Sequence, residues 1–408
     1  LLLACISAAL LAQLAIGIGV FAWRRRGGAA TIDAIAAPAP HIAPGAWREL
    51  RVVRREFEDE GQTQCSFHLE PVDGAALPPF QPGQFLTFSL QTAARATEGN
   101  GGERTMVRCY SLSDRPNPHG YRITVKRVPA PSDRPDLPPG LSSGHFHDHV
   151  QVGDVLKAKA PSGHFHLDPE EALPIVLLAG GIGITPLMSM LGWCLDAQPA
   201  RVVHLYYGIR TLEEQAFRVA LAALAQAHPR FHLNLVVSRP GPDALPGRDF
   251  QHAGHVDLDL LRRTLPAGRH LFYVCGPAAM METLVPALAR WGVPQGDIHF
   301  EAFGPAAVQL AEPTPQASAP RLAAPLDVRF LRSGRTLAWT AQDGSLLEFA
   351  ERHGMAPDSG CRSGSCGSCE TRLVSGTVHY ANPPDHDIAP GHCLLCVGTP
   401  ASALVLEA

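Results

Sequence analysis

CRSGSCGSCETRL, residues 361–373, packs Cys361, Cys366 and Cys369 into one short run of Gly and Ser. The spacing Cys-x4-Cys-x2-Cys, with a fourth cysteine far along the chain, is a [2Fe–2S]-holding pattern. A zinc ribbon would more often show two Cys-x2-Cys pairs, and a disulfide knot is the other alternative. A loop that wraps a cluster must turn its backbone N–H groups towards the sulfurs. Gly364 and Gly367 can take positive φ cheaply, and Ser363, Ser365 and Ser368 are short donors. The fourth ligand comes from Cys393 or Cys396. Cys396 follows the apolar pair Leu394–Leu395, which reads as the start of a buried strand, and is preferred.

Around this loop, residues 325–408 resemble a plant-type ferredoxin. VRFLRSGRTLAWT reads as two strands about a turn, GSLLEFAERHG as an amphipathic helix stopped by Gly354, and ALVLE as a last strand. The resemblance implies a β-grasp α+β domain whose cluster carries one electron at a time.

The chain has 408 residues, enough for two to four domains, with 46% hydrophobic and 18% charged residues. A net charge of −4 is too small to argue for a nucleic-acid partner or an acidic ligand, and none is expected. Ten cysteines include the cluster set, and others such as Cys65, Cys109 and Cys194 stand singly, the usage of a reducing compartment. LLLACISAALLAQLAIGIGVFAW opens the chain with 23 uncharged residues, and Arg24–Arg26 come directly after it. At about 1.5 Å per residue, such a helix spans a hydrocarbon core of about 30 Å. The basic flank places the remainder of the chain, on its C-terminal side, in the cytoplasm. A signal peptide would carry its basic residues first. Residues 1–26 are therefore expected to be a transmembrane helix, with a single-pass location in the cell membrane. The first residue is Leu1, not Met, which leaves room for sequence upstream.

Ala/Pro/Gly-rich stretches at 27–46 and 306–324 read as linkers. Between them, residues 47–168 hold strand-like runs separated by Pro and Gly turns, the pattern of an antiparallel β-barrel. Residues 169–305 alternate strand and helix around PIVLLAG, RVVHLYYG, FHLNLVVS and HLFYVCG, which predicts a parallel α/β sheet.

Within this block, PGQF (82–85), RCYS (108–111), YRITVKR (121–127), GLSSGHFHD (140–148) and APSGHFHLDP (160–169) occur in that order. The set resembles the ferredoxin–NADP reductase superfamily, with its nearest likeness in the reductase part of flavohaemoglobins and in the reductases of multicomponent oxygenases. No globin segment accompanies it. The resemblance implies FAD as the flavin. Tyr110 can supply an aromatic platform, Ser111 a hydrogen bond near the hydride acceptor, and Arg108 a cation for the phosphates. Gly140, Ser142 and Ser143, at the start of a helix, offer donors for a pyrophosphate. Phe85, Val125 and Lys126 would also line the flavin by this likeness.

AGGIGITP, residues 179–186, comes after a predicted parallel strand. Gly180, Gly181 and Gly183 let a dinucleotide pyrophosphate approach the backbone, and Thr185–Pro186 complete the version found in this superfamily. YVCGPAAMM, residues 273–281, is the second nucleotide signature. It contributes Cys275, Gly276, Pro277 and Met280, and the resemblance implies that Cys275 lies beside the nicotinamide as a positioning group. HFEAFGP (299–305) would return Phe303 and Gly304 to the flavin face and make Glu301 an electrostatic tuner. Ser238–Arg239 would meet the 2′-phosphate of NADPH, although SRPGPD also reads as a plain turn, so NADH stays open. His145, His147, His164, His166, His252 and His255 invite a metal reading, but no carboxylate arrangement completes one.

The expectation is a membrane-tethered reductase that passes electrons from NAD(P)H through FAD and a [2Fe–2S] cluster to an acceptor protein. A self-contained oxidase and a non-enzymatic redox sensor are the alternatives.

Overall fold

In the computed structural model, the described residues are 47–93, 103–130, 138–303, 325–360, 362, 364, 366–381, 383–384 and 386–408. They fall within one compact unit, Ile42–Ala408. The expected span at 1–26, both linkers, Gly304 and Cys361 lie outside the described residues. Among the described residues, no helix is long and apolar enough to cross a membrane.

Strands β1 (Arg48–Phe57), β2 (Gln64–Pro71), β3 (Phe85–Ala93), β4 (Glu103–Ser111), β5 (Tyr121–Lys126) and β6 (Val155–Ala158) form an antiparallel sheet ordered β4-β3-β6-β1-β2-β5. Period-two alternation sends Leu50, Val52, Phe67, Leu69, Ile123 and Val125 into its core. A register shift between Val52 and Arg54 changes which face the rest of β1 presents. Beyond it, Glu56 pairs with Ser66, so the even-numbered residues leave the core face. The β1–β2 turn is tied by the Asp59 carboxylate, which accepts hydrogen bonds from the backbone N–H groups of Thr63 and Gln64. Helix α1 (Leu141–Asp148) plugs one end. Its Phe146 sets its ring edge-on against Phe67, Phe88 and Tyr110.

The next segment contains β7 (Ile175–Gly180), α2 (Ile184–Ala197), β8 (Val203–Ile209), α3 (Arg218–Ala227), β9 (Phe231–Val237) and β10 (His252–Ala253). It continues through α4 (Leu258–Thr264), β11 (Leu271–Gly276), α5 (Ala278–Arg290) and β12 (Ile298–Ala302). The sheet is parallel, ordered β10-β9-β8-β7-β11-β12. β7 and β11 are buried at every residue, which is why they read as unbroken apolar runs. The strand order reverses between them, and that switch point is where an open α/β sheet binds its ligand.

The third part holds β13 (Leu326–Phe330), β14 (Arg335–Trp339), α6 (Leu346–Arg352), β15 (Glu370–Ser375), β16 (Val378–Tyr380), β17 (His392–Leu394), β18 (Gly398–Pro400) and β19 (Leu404–Leu406). Its main sheet runs β14-β13-β19-β15-β17, with β13 and β19 parallel. Ser345 and Glu348 form a reciprocal capping box at the start of α6. Leu346, Leu347 and Phe349 then bury against Val328, Phe330 and Leu406. Gly354, at φ 74°, comes just past the helix end as expected.

Candidate functional site

A cavity of about 740 Å³ opens where the barrel, the parallel-sheet region and the cysteine loop meet. The barrel contributes Phe85, Arg108, Tyr110, Ser111 and Lys126, and the α1 turn contributes Gly140, Ser142 and Ser143. Thr185, Glu301 and Phe303 come from the parallel-sheet region. The Tyr110 hydroxyl shares a 2.7 Å hydrogen bond with Ser142 Oγ, and its ring lies 4.9 Å from Phe146. With its ring braced and its hydroxyl held, Tyr110 offers a fixed aromatic face. Burial pushes its phenol up to about 12, so it stays neutral. Gly163, at φ 112°, sits so close to Phe85 that a Cβ would lie 2.7 Å from the ring. The PSG turn is therefore shaped to let Phe85 reach the cavity. Gly140 N–H donates to the Val128 carbonyl, and Val128 N–H donates to Ser143 Oγ, which zips the start of α1 to the end of β5. Aromatic, hydroxyl and cationic groups around a cavity of this size fit a flavin nucleotide.

One expected contact differs. Val125 points into the barrel core, 1% exposed, because strand alternation sends its neighbours Thr124 and Lys126 to the cavity instead. Its carbonyl accepts a 2.9 Å hydrogen bond from His147 Nε2. Thr124, Arg127, Ile182, Gly360 and Arg362 also line the cavity, beyond the residues expected from sequence. Thr124 was recoverable from its i, i+2 relation to Lys126. Arg362, which reaches in from the cysteine loop, carried no sequence signal. Its guanidinium is anchored at 2.9 Å to Glu351 of α6.

At the switch point, the turn after β7 presses against the end of β11. A Cβ on Gly180 would lie 2.6 Å from Pro277 and 2.7 Å from Met280 Sδ, and one on Gly276 would lie 2.9 Å from the same sulfur. A Cβ on Gly183 would lie 2.2 Å from the Cys275 carbonyl oxygen. Gly181 is different: φ is 52° and nothing lies within 4 Å of where its Cβ would be. Three glycines thus allow close packing, and the fourth leaves open space at a turn leading into α2. Thr185 Oγ1 donates to the Ile182 carbonyl, and Pro186 sits in the first turn of α2, where its missing N–H costs nothing. These features fit a dinucleotide pyrophosphate.

Cys275 and Glu301 are register partners on β11 and β12. The Cys275 thiol is fully buried and held well above its usual range, first by desolvation and then by Glu301. It stays protonated, which suits a positioning group and not a nucleophile. Ser238 and Arg239 lie just past the carboxyl end of β9. The Arg239 backbone N–H donates to the Arg210 carbonyl, and its side chain is exposed.

In the cysteine loop, Cys366 and Cys369 are buried and Cys396 is partly buried. Cys396 N–H donates to Cys369 Sγ at 3.4 Å, and Cys366 Sγ and Ser368 Oγ share a 3.3 Å hydrogen bond. Arg362, Gly364 and Gly367 take φ of 59°, 82° and 68°, curling the loop. A Cβ on Gly360 would lie 2.7 Å from Cys366 Sγ. A curled loop with donors aimed at sulfur fits an iron–sulfur cluster. Cys396 lies just after β17 and not at the start of a strand. Cys393 lies within β17, faces the domain core and is pushed up to about 12 by burial. His145 and His147 lie together on α1. With Cys361 outside the described residues, the cysteine set is seen through three of its members.

Comparison with known proteins agrees with this geometry. Residues 177–285 match the oxidoreductase NAD-binding domain, and residues 330–401 match the 2Fe-2S iron-sulfur cluster binding domain. A flavohemoprotein of Halalkalibacterium halodurans is 39% identical over 265 residues, which cover 65% of this chain and 62% of that protein. The chain thus spans about three-fifths of that relative's length. The FAD/NAD-binding domain of a nitric oxide dioxygenase from Vibrio cholerae O1 biovar El Tor is 32% identical, with a TM-score of 0.54. That match covers 63% of this chain and 99% of the other. Phthalate dioxygenase reductase, described as a modular structure for electron transfer from pyridine nucleotides to [2Fe-2S], is 29% identical with a TM-score of 0.52. It matches over 89% of this chain and 98% of its own. The chain therefore belongs to the oxidoreductases of the ferredoxin–NADP reductase type, with FAD, NAD(P)H and a [2Fe-2S] cluster as its cofactors.

Proposed function

We propose that this chain is the reductase component of an electron-transfer pair, drawing on NADPH in preference to NADH and serving an acceptor protein such as an oxygenase. The observation that carries the reading is one shared cavity, lined by Tyr110 and Ser111 of the barrel, Thr185 and Glu301 of the nucleotide region, and Gly360 and Arg362 of the cysteine loop. When bound, FAD would take a hydride from NAD(P)H and release its electrons singly to the [2Fe-2S] cluster. The chain's own residues position and tune. Tyr110 and Phe85 fix the plane of an aromatic ring, Ser111 offers a hydrogen bond, and Arg108 and Lys126 supply positive charge. Glu301, the register partner of Cys275, brings the end of β12 to the cavity wall, where Phe303 also lies.

A preference for NADPH is supported by Arg239 at the carboxyl end of β9, since a guanidinium suits a 2′-phosphate. Arg239→Ala should then raise KM for NADPH by about tenfold, the worth of one phosphate contact of ~1.4 kcal/mol, with little effect on NADH. A membrane tether is supported by the uncharged run before Arg24–Arg26. Deleting residues 1–26 should free a soluble protein that still reduces ferricyanide.

The main test is anaerobic. NADPH should reduce a purified oxygenase or haem partner through the holoprotein much faster than the same protein consumes oxygen in air. Oxygen consumption as fast as any partner reduction would overturn the reading in favour of an oxidase.

A further inference from the structure

Thr124, on the cavity wall, begins a buried chain of hydroxyls that ends on a carboxyl group. Leu112 and Ile123 form a bridge between antiparallel segments, which sets Ser111 beside Thr124 on the cavity side. Thr124 Oγ1 lies 2.7 Å from Ser66 Oγ, and Ser66 Oγ donates to Glu58 Oε1 at 2.5 Å. Ser66 is fully buried and Thr124 is 3% exposed, whereas Glu58 is only half-buried. The chain therefore runs from the cavity, through two alcohols, to a carboxyl that meets solvent. It exists because of the register shift in β1: the shift brings Glu58 out of the core face and onto the side of β2 that carries Ser66.

A second branch leaves Thr124 and goes nowhere useful. Thr124 Oγ1 lies 2.8 Å from Ser113 Oγ, which receives a hydrogen bond from Arg122 Nε. A guanidinium cannot accept a proton. The Glu58 branch can. Burial holds the Glu58 carboxyl above its usual range, offset by its bond from Ser66 and by Arg122 and His68, with Glu56 adding to the rise. It therefore gains a proton more readily than a surface glutamate does.

The need for such a path comes from electron balance and rests on the reading of the cavity as the flavin site. NAD(P)H gives a hydride, which is two electrons and one proton. The cluster accepts electrons only. The net change is NAD(P)H plus two oxidised clusters giving NAD(P)⁺, two reduced clusters and one proton. One proton must leave the cavity for each hydride that enters. We propose that Thr124, Ser66 and Glu58 carry it out. Thr124 Oγ1 accepts it on the cavity side and passes its own hydrogen to Ser66. Ser66 passes its hydrogen to Glu58, and Glu58 releases a proton to water. Each hydroxyl gains one O–H bond and gives up another, and rotation of the two hydroxyls restores the starting direction of the chain. Thr124 and Ser66 are positioning residues that relay, and Glu58 is the terminal acceptor.

The test uses the full holoprotein, loaded with FAD and cluster, in anaerobic stopped flow with NADPH and ferricyanide. Glu58→Gln preserves an acceptor for Ser66, and Ser66→Ala removes the middle hydroxyl without touching the cavity wall, so either variant serves if the other fails to fold. Both should leave bleaching of the flavin by NADPH within about twofold of wild type. Both should slow the later delivery of electrons by about tenfold or more and alter its solvent deuterium isotope effect. Ser113→Ala, which removes the other hydrogen bond of Thr124, should change neither. A purely structural role for the hydroxyl cluster would instead make Ser113→Ala as harmful as Glu58→Gln. Infrared difference spectra taken across the redox change should show a deuterium-sensitive carboxyl band that Glu58→Gln removes. Electron delivery, isotope effect and infrared spectra unchanged in both variants would overturn the relay alone. A wild-type protein that fails to retain FAD, or whose flavin NADPH does not bleach, would overturn the cavity assignment on which the relay rests.

Discussion

Gly183→Ala is expected to be a damaging single-methyl addition at the nucleotide turn. The new Cβ would lie 2.2 Å from the Cys275 carbonyl oxygen, 2.5 Å from its carbon and 2.8 Å from Gly276 N. All three are backbone atoms of β11. An ordinary contact is about 3.5 Å, so something must move by roughly 1 Å. β11 cannot yield easily, because it is hydrogen-bonded to β7 on one side and β12 on the other. Overpacking costs about 1–3 kcal/mol, and a clash between two backbones belongs at the upper end. The displacement also disturbs Glu301, the register partner of Cys275, on the cavity wall. A 1 Å misplacement of reacting groups can cost about a hundredfold in rate. Gly181→Ala is the matched control. Its φ of 52° penalises any side chain by about 1–2 kcal/mol, but the added methyl meets nothing. Urea unfolding monitored in the nucleotide region should therefore show a larger loss for Gly183→Ala than for Gly181→Ala. At saturating NADPH, flavin bleaching should slow by one to two orders of magnitude in the former, whereas Gly181→Ala, whose methyl enters the open space at the nucleotide turn, should act mainly on KM. A Gly183→Ala protein with an unchanged midpoint and an unchanged hydride rate would refute the argument.

Two further outcomes are expected. Cys396→Ser should bleach or shift the visible and EPR signature of the cluster, whereas Cys393→Ser should leave it nearly intact, since it is Cys396 whose N–H is directed at Cys369 Sγ; the opposite pattern would exchange the two. The His204 imidazole, stacked on His232 at 4.7 Å and 6.1 Å from His270, is lowered to about 4, first by burial and then by those two neighbours. The folded form binds its proton less readily than the unfolded chain, so stability from this group is full above about pH 6.5 and is lost as pH falls towards 4. The loss reaches about 3 kcal/mol, and His204→Phe should flatten that part of the stability–pH curve measured by urea unfolding.

Much of this protein is local, and its sequence alone sets it. Three cysteines within nine residues, with glycines where the chain must curl, specify a cluster loop before any distant contact forms. Unbroken apolar runs ending in glycine mark β7 and β11, because a strand buried on both faces can tolerate nothing else. Ser345 and Glu348 start α6 through their own hydrogen bonds. Tyr110 and Ser111 announce the cavity because neighbours on one strand end arrive together.

Other features needed the folded chain. Val125, expected at the flavin from the family likeness, and Thr124 differ by one position, and the folded strand turns Thr124, not the Val125 side chain, to the cavity. Cys393 and Cys396 carry the same chemistry. Only the fold aims the Cys396 N–H at Cys369 and turns Cys393 into the core. Arg362 meets Tyr110 and Ser111 across some 250 positions of sequence, a placement that no local periodicity encodes. The path from Thr124 to Glu58 depends on a single register shift in β1. One extra residue in a strand reverses every face beyond it, and which strand bulges is decided by how its neighbours pack.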